Sequence, residues 1–251
     1  MKKRFQFKII ICVYIFLATF CLCAEDSANV FNQANRFYEQ GKYSEATAAY
    51  EKLIHSGSAS TPVYFNSGNT FLKSGQLGRA IAAYRQAEKV SPRDPDVRAN
   101  LRFARDQAGA RSHQGWQTWI GRLTVNEWTV ATAIATSIWF LLLAARQLQP
   151  TWTKSFRGGL LALGILSSFL VVCLAYAIHQ EFFVKLSVVI VPEAVVRRGP
   201  LDESQSAFTL RDGAEITVLD KKGDWLQITD ASQRTGWLPQ RQAMEWATIS
   251  R

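Results

Sequence analysis

The chain lacks the residue groups that most enzymes and metal sites need. Its four cysteines all lie within hydrophobic runs: Cys12, Cys21, Cys23 and Cys173. The polar parts of the chain therefore have no disulfide framework and no thiolate metal site. The three histidines (His55, His113 and His179) have no second ligand at metal-binding spacing, and no Gly-rich phosphate loop occurs. We therefore predict no metal, no cofactor, no small-molecule substrate and no enzymatic activity.

The net charge of +9 is concentrated at the N-terminus and beside two long apolar runs. Eight residues account for nearly all of the excess: Lys2, Lys3, Arg4, Lys8, Arg122, Arg146, Lys154 and Arg157. By contrast, the segment 184–251 is neutral, and the segment 25–115 is only mildly basic. This distribution fits control of membrane topology better than nucleic-acid binding, so we predict no nucleic-acid partner.

Two apolar runs without a charged residue cover 128–145 and 159–178. At about 1.5 Å per residue, each is long enough as a helix to cross a hydrocarbon layer of about 30 Å. They predict transmembrane helices over 126–146 and 159–180. The loop between them, 147–158, contains basic but no acidic residues, which places it in the cytoplasm. A buried soluble helix is the alternative for the first run. Because neither run contains a charged residue or a histidine, no ion path is indicated.

Residues 1–24 have the pattern of a secretory signal peptide: a basic start, an apolar run over 9–20, and small residues before Glu25. An uncleaved anchor helix and a lipoprotein signal at Cys21 or Cys23 are the alternatives. The chain after residue 24 is then expected outside the cytoplasm. Together with the basic loop, this predicts a bacterial inner-membrane protein with two spans and both soluble domains on the periplasmic side.

Two segments repeat at a constant offset of 34 residues. The matching pairs are Phe31/Phe65, Asn32/Asn66, Asn35/Asn69, Phe37/Phe71, Gly41/Gly75, Ala46/Ala80, Ala49/Ala83 and Tyr50/Tyr84. This is the period and pattern of a tetratricopeptide (TPR) repeat, a helix–turn–helix unit. We predict repeats over 27–60 and 61–94. Since two repeats alone bury too little surface, a capping helix over 96–107 completes a TPR domain over 25–112.

The first helices of such repeats normally line a groove for a partner segment. The predicted groove residues are Asn35, Asn66, Asn69, Asn100, Phe65 and Lys73. Asparagine amides can hydrogen-bond the backbone of an extended peptide. The alternative is that these amides are solvated or bond between helices. Phe31 and Asp96 stand where basic residues would be needed to clamp a terminal carboxylate, so we predict protein binding without that preference.

The segment 115–124 precedes the first apolar run. Trp116, Trp119, Ile120 and Leu123 lie on one side of a helix at this spacing, opposite Arg122 and other polar residues. The pattern predicts a short amphipathic helix at the membrane interface. Aromatic residues on either side of the hairpin, including Trp128, Phe182 and Phe183, are expected to form the interfacial belt.

From residue 186 onward, short apolar strands alternate with turn signals, which indicates a small β-barrel over 186–246. Its motifs are VRRGP at 196–200, Gly213, DWL at 224–226 and GWL at 236–238. They resemble the bacterial SH3-like (SH3b) domain, with 202–207 as a free loop. The resemblance implies binding of a peptide or of cell-wall material. Trp225 and Trp237 are the candidate ligand-stacking residues, and packing in the barrel core is the alternative.

The predicted fold class is a multi-domain membrane protein: an all-α TPR array, two transmembrane helices and a C-terminal small all-β SH3-like barrel. This domain order resembles the BatE-type proteins of bacterial aerotolerance (Bat) operons over nearly the whole chain. The resemblance implies a membrane-bound component of an envelope complex, with other Bat-type membrane proteins as partners. We therefore expect an adaptor linked to oxygen or stress tolerance. A peptidoglycan-binding auxiliary protein is the alternative, and a hydrolase subunit is disfavoured by the missing Cys/His pair.

Overall fold

The computed structural model describes residues 26–109, 123–148 and 157–245. Within these ranges, seven α-helices precede seven β-strands. The predicted signal peptide lies outside the described residues. So do nearly all of the predicted interfacial helix at 115–124 and most of the predicted cytoplasmic loop at 147–158.

Five helices form the N-terminal domain. They are α1 (26–39), α2 (Tyr43–His55), α3 (Thr61–Lys73), α4 (Leu77–Val90) and α5 (Pro95–Ala108). Gly41 and Gly75 turn the chain between paired helices with φ of 73° and 75°, a left-handed conformation that glycine adopts without steric cost. Gly109 ends α5 with φ of 60° at the same 34-residue spacing. Helix α5 therefore stands in register as the first helix of a third unit.

Small residues let the paired helices pack closely, as the repeat pattern predicts. Ala34, Ala46 and Ala80 are fully buried. At Gly68, a β-carbon would lie only 2.6 Å from a ring carbon of Tyr84, so no larger residue fits there without movement. The helix α5 begins at Pro95, and the Asp94 side chain caps it by accepting from the backbone N–H of Asp96 and Val97.

Two long helices follow, α6 (Val125–Leu148) and α7 (Arg157–Phe182). Both are long and apolar enough to cross a membrane by length and composition, and each extends the predicted span by one or two residues at either end. They pack against each other: a β-carbon at Gly164 would lie 3.1 Å from the indole nitrogen of Trp139. Thr124 and Glu127 form a reciprocal capping box at the start of α6.

The C-terminal domain is a seven-stranded antiparallel sheet in the order β3-β2-β6-β5-β4-β1-β7. Its strands are β1 (Lys185–Val189), β2 (Glu193–Arg197), β3 (Ser206–Arg211), β4 (Glu215–Lys222), β5 (Trp225–Asp230), β6 (Thr235–Pro239) and β7 (Ala243–Glu245). Residues from β1 through β6 meet in one buried cluster, so the sheet curls around a single core. The predicted free loop at 202–207 is shorter than expected, because Ser206 and Ala207 already belong to β3, where Ser206 pairs with Arg197 of β2.

Candidate binding faces and the contact between the two domains

The predicted groove residues of the first repeat form a hydrogen-bonded group. The Tyr50 hydroxyl donates to Oδ1 of Asn35 over 2.6 Å. The Nδ2 group of Asn66, on the first helix of the next repeat, donates to the same oxygen over 3.0 Å. One asparagine oxygen thus joins the two helices of its own repeat and the first helix of the following one.

The second repeat copies this arrangement. The Tyr84 hydroxyl donates to Oδ1 of Asn69 over 2.7 Å, and Nδ2 of Asn100 approaches the same oxygen at 3.4 Å. Burial raises the pKa of Tyr50 to about 12 and raises the pKa of Tyr84 as well. Both hydroxyls therefore stay protonated at neutral pH and remain donors. The asparagines tie the helices together, which is the inter-helix alternative to a purely ligand-binding role.

The same asparagines keep hydrogen-bonding capacity for a partner. Oδ1 of Asn35 and Oδ1 of Asn69 each accept two bonds, so both are saturated. Among the described residues, no hydrogen bond involves the Nδ2 groups of these two residues or the Oδ1 atoms of Asn66 and Asn100. All four residues are half-buried. The face therefore offers both donors and acceptors in a neutral environment.

The two remaining predicted groove residues lie in different surroundings. Phe65 packs on Tyr84, with ring centroids 5.9 Å apart, and joins the repeat core. Its ring therefore contacts the tyrosine whose hydroxyl donates to Asn69. Lys73 is the last residue of α3 and is exposed. It lies seven positions after Asn66, about two helical turns along the same helix.

Trp225 and Trp237 share the outer face of the sheet. On β5, the alternate residues Leu226 and Ile228 enter the core, so Trp225 points to the opposite side. On β6, Leu238 enters the core and Trp237 does not. Gln227 pairs with Trp237 and Trp225 pairs with Pro239, so the two tryptophans are diagonal neighbours. Both are half-buried and lie outside the core cluster.

A buried ion-pair cluster connects the helical domain with the sheet domain. Glu215, at the start of β4, has a side chain only 2% exposed. One of its oxygens accepts from Arg85 of α4 over 3.0 Å, and the other accepts from Arg105 of α5 over 2.7 Å. Arg85 also pairs with Glu88 at 2.8 Å. Burial alone would raise the pKa of Glu215, but the two guanidinium groups outweigh it and hold that pKa below its ordinary value.

This contact was not predicted from the sequence, although the repeat register contains its signal. Phe37 and Phe71 occupy one position of the repeat, and the third occurrence of that position is Arg105. An arginine at the repeat position that holds phenylalanine in the first two units indicates that the third unit does not pack against another repeat helix at this point. The sequence has no comparable signal for Glu215, because its neighbours read as an ordinary strand.

Comparison with known families recognises both soluble domains. A family model described as a TPR repeat matches residues 68–104, from the middle of α3 through most of α5. A family model described as a bacterial SH3 domain matches residues 191–243. The chain therefore contains a TPR repeat and a bacterial SH3 domain. A search of curated proteins finds no match to the chain.

These two domains are of kinds that bind proteins or peptidoglycan. Within the part of the chain that the structure describes, no group of three or more His, Cys, Asp or Glu residues is placed to hold a metal ion. The chemistry that the described faces offer is neutral hydrogen bonding on the repeats and aromatic stacking on the SH3 domain.

Proposed function

We propose that this protein is a non-enzymatic, membrane-anchored adaptor of a bacterial envelope. Its TPR groove binds a protein partner, and its SH3 domain binds a second ligand. The observation that carries the proposal is the attachment of two binding domains to the two outer ends of one apolar helical hairpin. The repeat domain contacts the start of α6 through an Arg93–Glu127 ion pair of 2.9 Å, and β1 begins three residues after α7 ends.

The hairpin anchors both domains on one side of the membrane in this proposal. A two-span hairpin returns the chain to the side from which it came, and the basic residues between the spans favour the cytoplasm for the connection. The repeat and SH3 domains then lie in the periplasm, as expected for cysteine-free polar segments. Alkaline phosphatase fused after Arg251 is expected to be active, and an inactive fusion would contradict this topology.

The groove is tested by partner capture from solubilised envelope membranes with the full-length chain. The variant N66A/N100A removes the two amides that retain free oxygens while leaving the tyrosine–asparagine bonds of both repeats in place. We expect it to lose proteins that the wild-type chain captures. The matched control is Gln33→Ala, which removes an exposed amide of α1 that lies about 200° around the helix from Asn35. Equal capture by both variants would show that the groove is idle.

A second function is favoured by the paired tryptophans on the outer face of the SH3 domain. In this alternative, the domain docks on peptidoglycan and the protein is a cell-wall-binding auxiliary. Full-length protein in detergent is expected to sediment with purified peptidoglycan, and the W225A/W237A variant is expected to stay in solution. The control is Leu219→Ala, an exposed apolar residue of β4. Peptidoglycan binding without partner capture would favour this alternative over the adaptor.

The resemblance to BatE-type proteins extends the adaptor proposal to its setting. The partners would be other Bat-type membrane proteins of the envelope, and the process would be oxygen or stress tolerance. Domain order supports this extension. Co-purification of the tagged chain with Bat-type proteins from a native membrane tests it, and a complex without any such protein would contradict it.

A further inference from the structure

The SH3 domain covers the surface of α4 and α5 against which the second helix of a third repeat would pack. Each complete repeat has a second helix, and α4 packs against both α3 and α5. Helix α5 has the register of a first helix and ends at Gly109, at the same point where Gly41 and Gly75 end theirs. Within the described residues, the sheet packs on the side of α4 and α5 that the second helix of a third repeat would cover.

The apolar part of this contact continues the repeat core. Val188 of β1 is fully buried in the same cluster as Leu101 and Ala104 of α5 and Ile81 of α4. At Gly213, a β-carbon would lie 2.6 Å from Cβ of Ala108. Val188 of the SH3 domain is therefore part of the buried core of the helical domain.

The backbones of the two domains also touch directly. A β-carbon at Gly78, in the first turn of α4, would lie 2.0 Å from the carbonyl oxygen of Val189. The equivalent residue of the first repeat, 34 positions earlier, is Ser44, which is exposed. Glycine is a poor helix former, so its presence in α4 is explained by the close approach of β1.

A hydrogen bond between the two domains caps the N-terminus of α4. The residue before this helix, Gln76, makes no side-chain capping bond. The Asp212 carboxylate of the SH3 domain accepts instead from the backbone N–H of Gly78 over 3.0 Å. A residue 134 positions away in sequence thus supplies the helix cap.

We propose that the SH3 domain is the C-terminal cap of the TPR array. It takes the place of the second helix of a third repeat, and the two domains form one cooperative unit. Val188 supplies the apolar side chain, Glu215 holds Arg85 and Arg105, and Asp212 caps α4. The partner of this surface is the SH3 domain of the same chain.

The cap leaves both candidate binding faces open. Its hydrogen bonds and ion pairs involve none of the four groove asparagines and neither tryptophan. This consequence rests on the adaptor function proposed above: the unit would hold two ligands at a fixed separation and orientation, which raises the effective concentration of one bound partner near the other. A flexible link between the domains would not fix this geometry.

Hydrogen exchange of the full-length chain in detergent micelles tests the proposal without any ligand, so its result is independent of the adaptor proposal. The most informative variant is Gly78→Ala, because a helix free of the SH3 domain and a helix packed against it predict opposite changes in the exchange rate. In a helix free of the SH3 domain, alanine is the better helix former and exchange in α4 would slow. Against the carbonyl of Val189, the added methyl group separates the domains. We expect exchange in α5 to become at least tenfold faster.

A charge variant provides a second, independent route. Glu215→Lys places a third positive charge against Arg85 and Arg105, and we expect at least tenfold faster exchange in both α4 and α5. The matched controls are Ser44→Ala for the glycine and Glu193→Lys, an exposed glutamate of β2, for the charge. Neither control is expected to change exchange in α5.

Unchanged or slower exchange in α5 of Gly78→Ala overturns the cap. So does unchanged exchange in α5 of a folded Glu215→Lys. If Glu215→Lys does not yield folded protein, Gly78→Ala alone decides, because it replaces none of the charged residues of the cluster. Faster exchange in α5, on which neither substitution lies, supports the cap.

Discussion

The asparagine–tyrosine groups of the groove and the arginine–glutamate cluster between the domains are both polar, but they differ in repetition and charge. The first is neutral, half-exposed and present once in each repeat. The second is charged, buried and present once in the described chain. Repeated neutral polar residues join identical units and leave a usable face. An unrepeated buried ion pair marks the place where the array meets a different fold.

The largest effect is expected from Arg105→Ala, which leaves Glu215 with one guanidinium partner. Removing one member of a buried ion pair typically costs about 3 kcal/mol or more, because the remaining charge is poorly solvated. We expect a loss of about 3 kcal/mol in the free energy of unfolding, measured by denaturant titration of the micelle-bound chain. Arg102→Ala, an exposed residue of the same helix, is the control. A loss equal to that of the control would show that the cluster contributes no more to the free energy of unfolding than a surface ion pair does.

Acid is expected to loosen the domain contact by a smaller amount. The pKa of Glu215 is held below its ordinary value of 4.5 in the folded chain. The carboxylate therefore contributes its full stability above about pH 4.5, and this contribution is lost as the pH falls through the lower folded value. The charged groups that face it are Arg85 on α4 and Arg105 on α5, and Glu88 on α4 pairs with Arg85.

Proteolytic sensitivity between the domains, followed from about pH 7 to about pH 3, measures this loss. The variant Glu215→Gln carries no titrating carboxyl at that site. Its acid dependence should be flatter than that of the wild-type chain. Parallel curves for the two proteins would assign the acid sensitivity to other carboxylates.

An intermediate effect is expected from Tyr84→Phe, which removes a neutral bond of the groove group. The change deletes the hydroxyl that donates to Asn69 and leaves the ring in the core. A typical hydrogen bond contributes about 1 kcal/mol, so we expect a loss of about that size. Tyr50→Phe provides the matched change in the first repeat. A loss at Tyr84 as large as that of Arg105→Ala would remove the contrast between neutral and charged groups.

The smallest effect is expected from Lys73→Ala. Its side chain is exposed at the end of α3, and surface substitutions of this kind usually stay within about 0.5 kcal/mol. Thermal unfolding should therefore match that of the wild-type chain. Weaker partner capture by this variant would place Lys73 in the binding face, whereas a clear fall in melting temperature would show a structural role.

Much of the fold followed from periodic patterns. The 34-residue offset predicted α1 to α4, because helix packing repeats the same small and aromatic residues at each contact. The uncharged runs predicted α6 and α7, because a long apolar helix needs no other signal. Boundaries were less well predicted: Ser206 and Ala207 were expected in a loop but belong to β3, where Ser206 pairs with Arg197 of β2. Sequence alone does not show this, since strand pairing depends on a distant partner.

The candidate faces were predicted in part. The repeat register brought Asn35 with Asn66 and Asn69 with Asn100, as expected for adjacent first helices. It did not reveal that Tyr50 and Tyr84 saturate two of the asparagine oxygens. Strand alternation alone does not tell which face of the sheet carries Trp225 and Trp237. The core cluster contains their strand neighbours and not the tryptophans, so both lie on the outer face.

By itself, the sequence determined the repeats, the apolar hairpin and the strand-rich end, because each is encoded by residues close together in the chain. Only the tertiary structure decided that the repeat and SH3 domains form one contact. Gly78 meets Val189, and Arg105 meets Glu215, across more than a hundred residues of chain. Local patterns specify which surface of an element is buried. They do not specify what buries it, because that depends on shape and charge supplied by a distant segment.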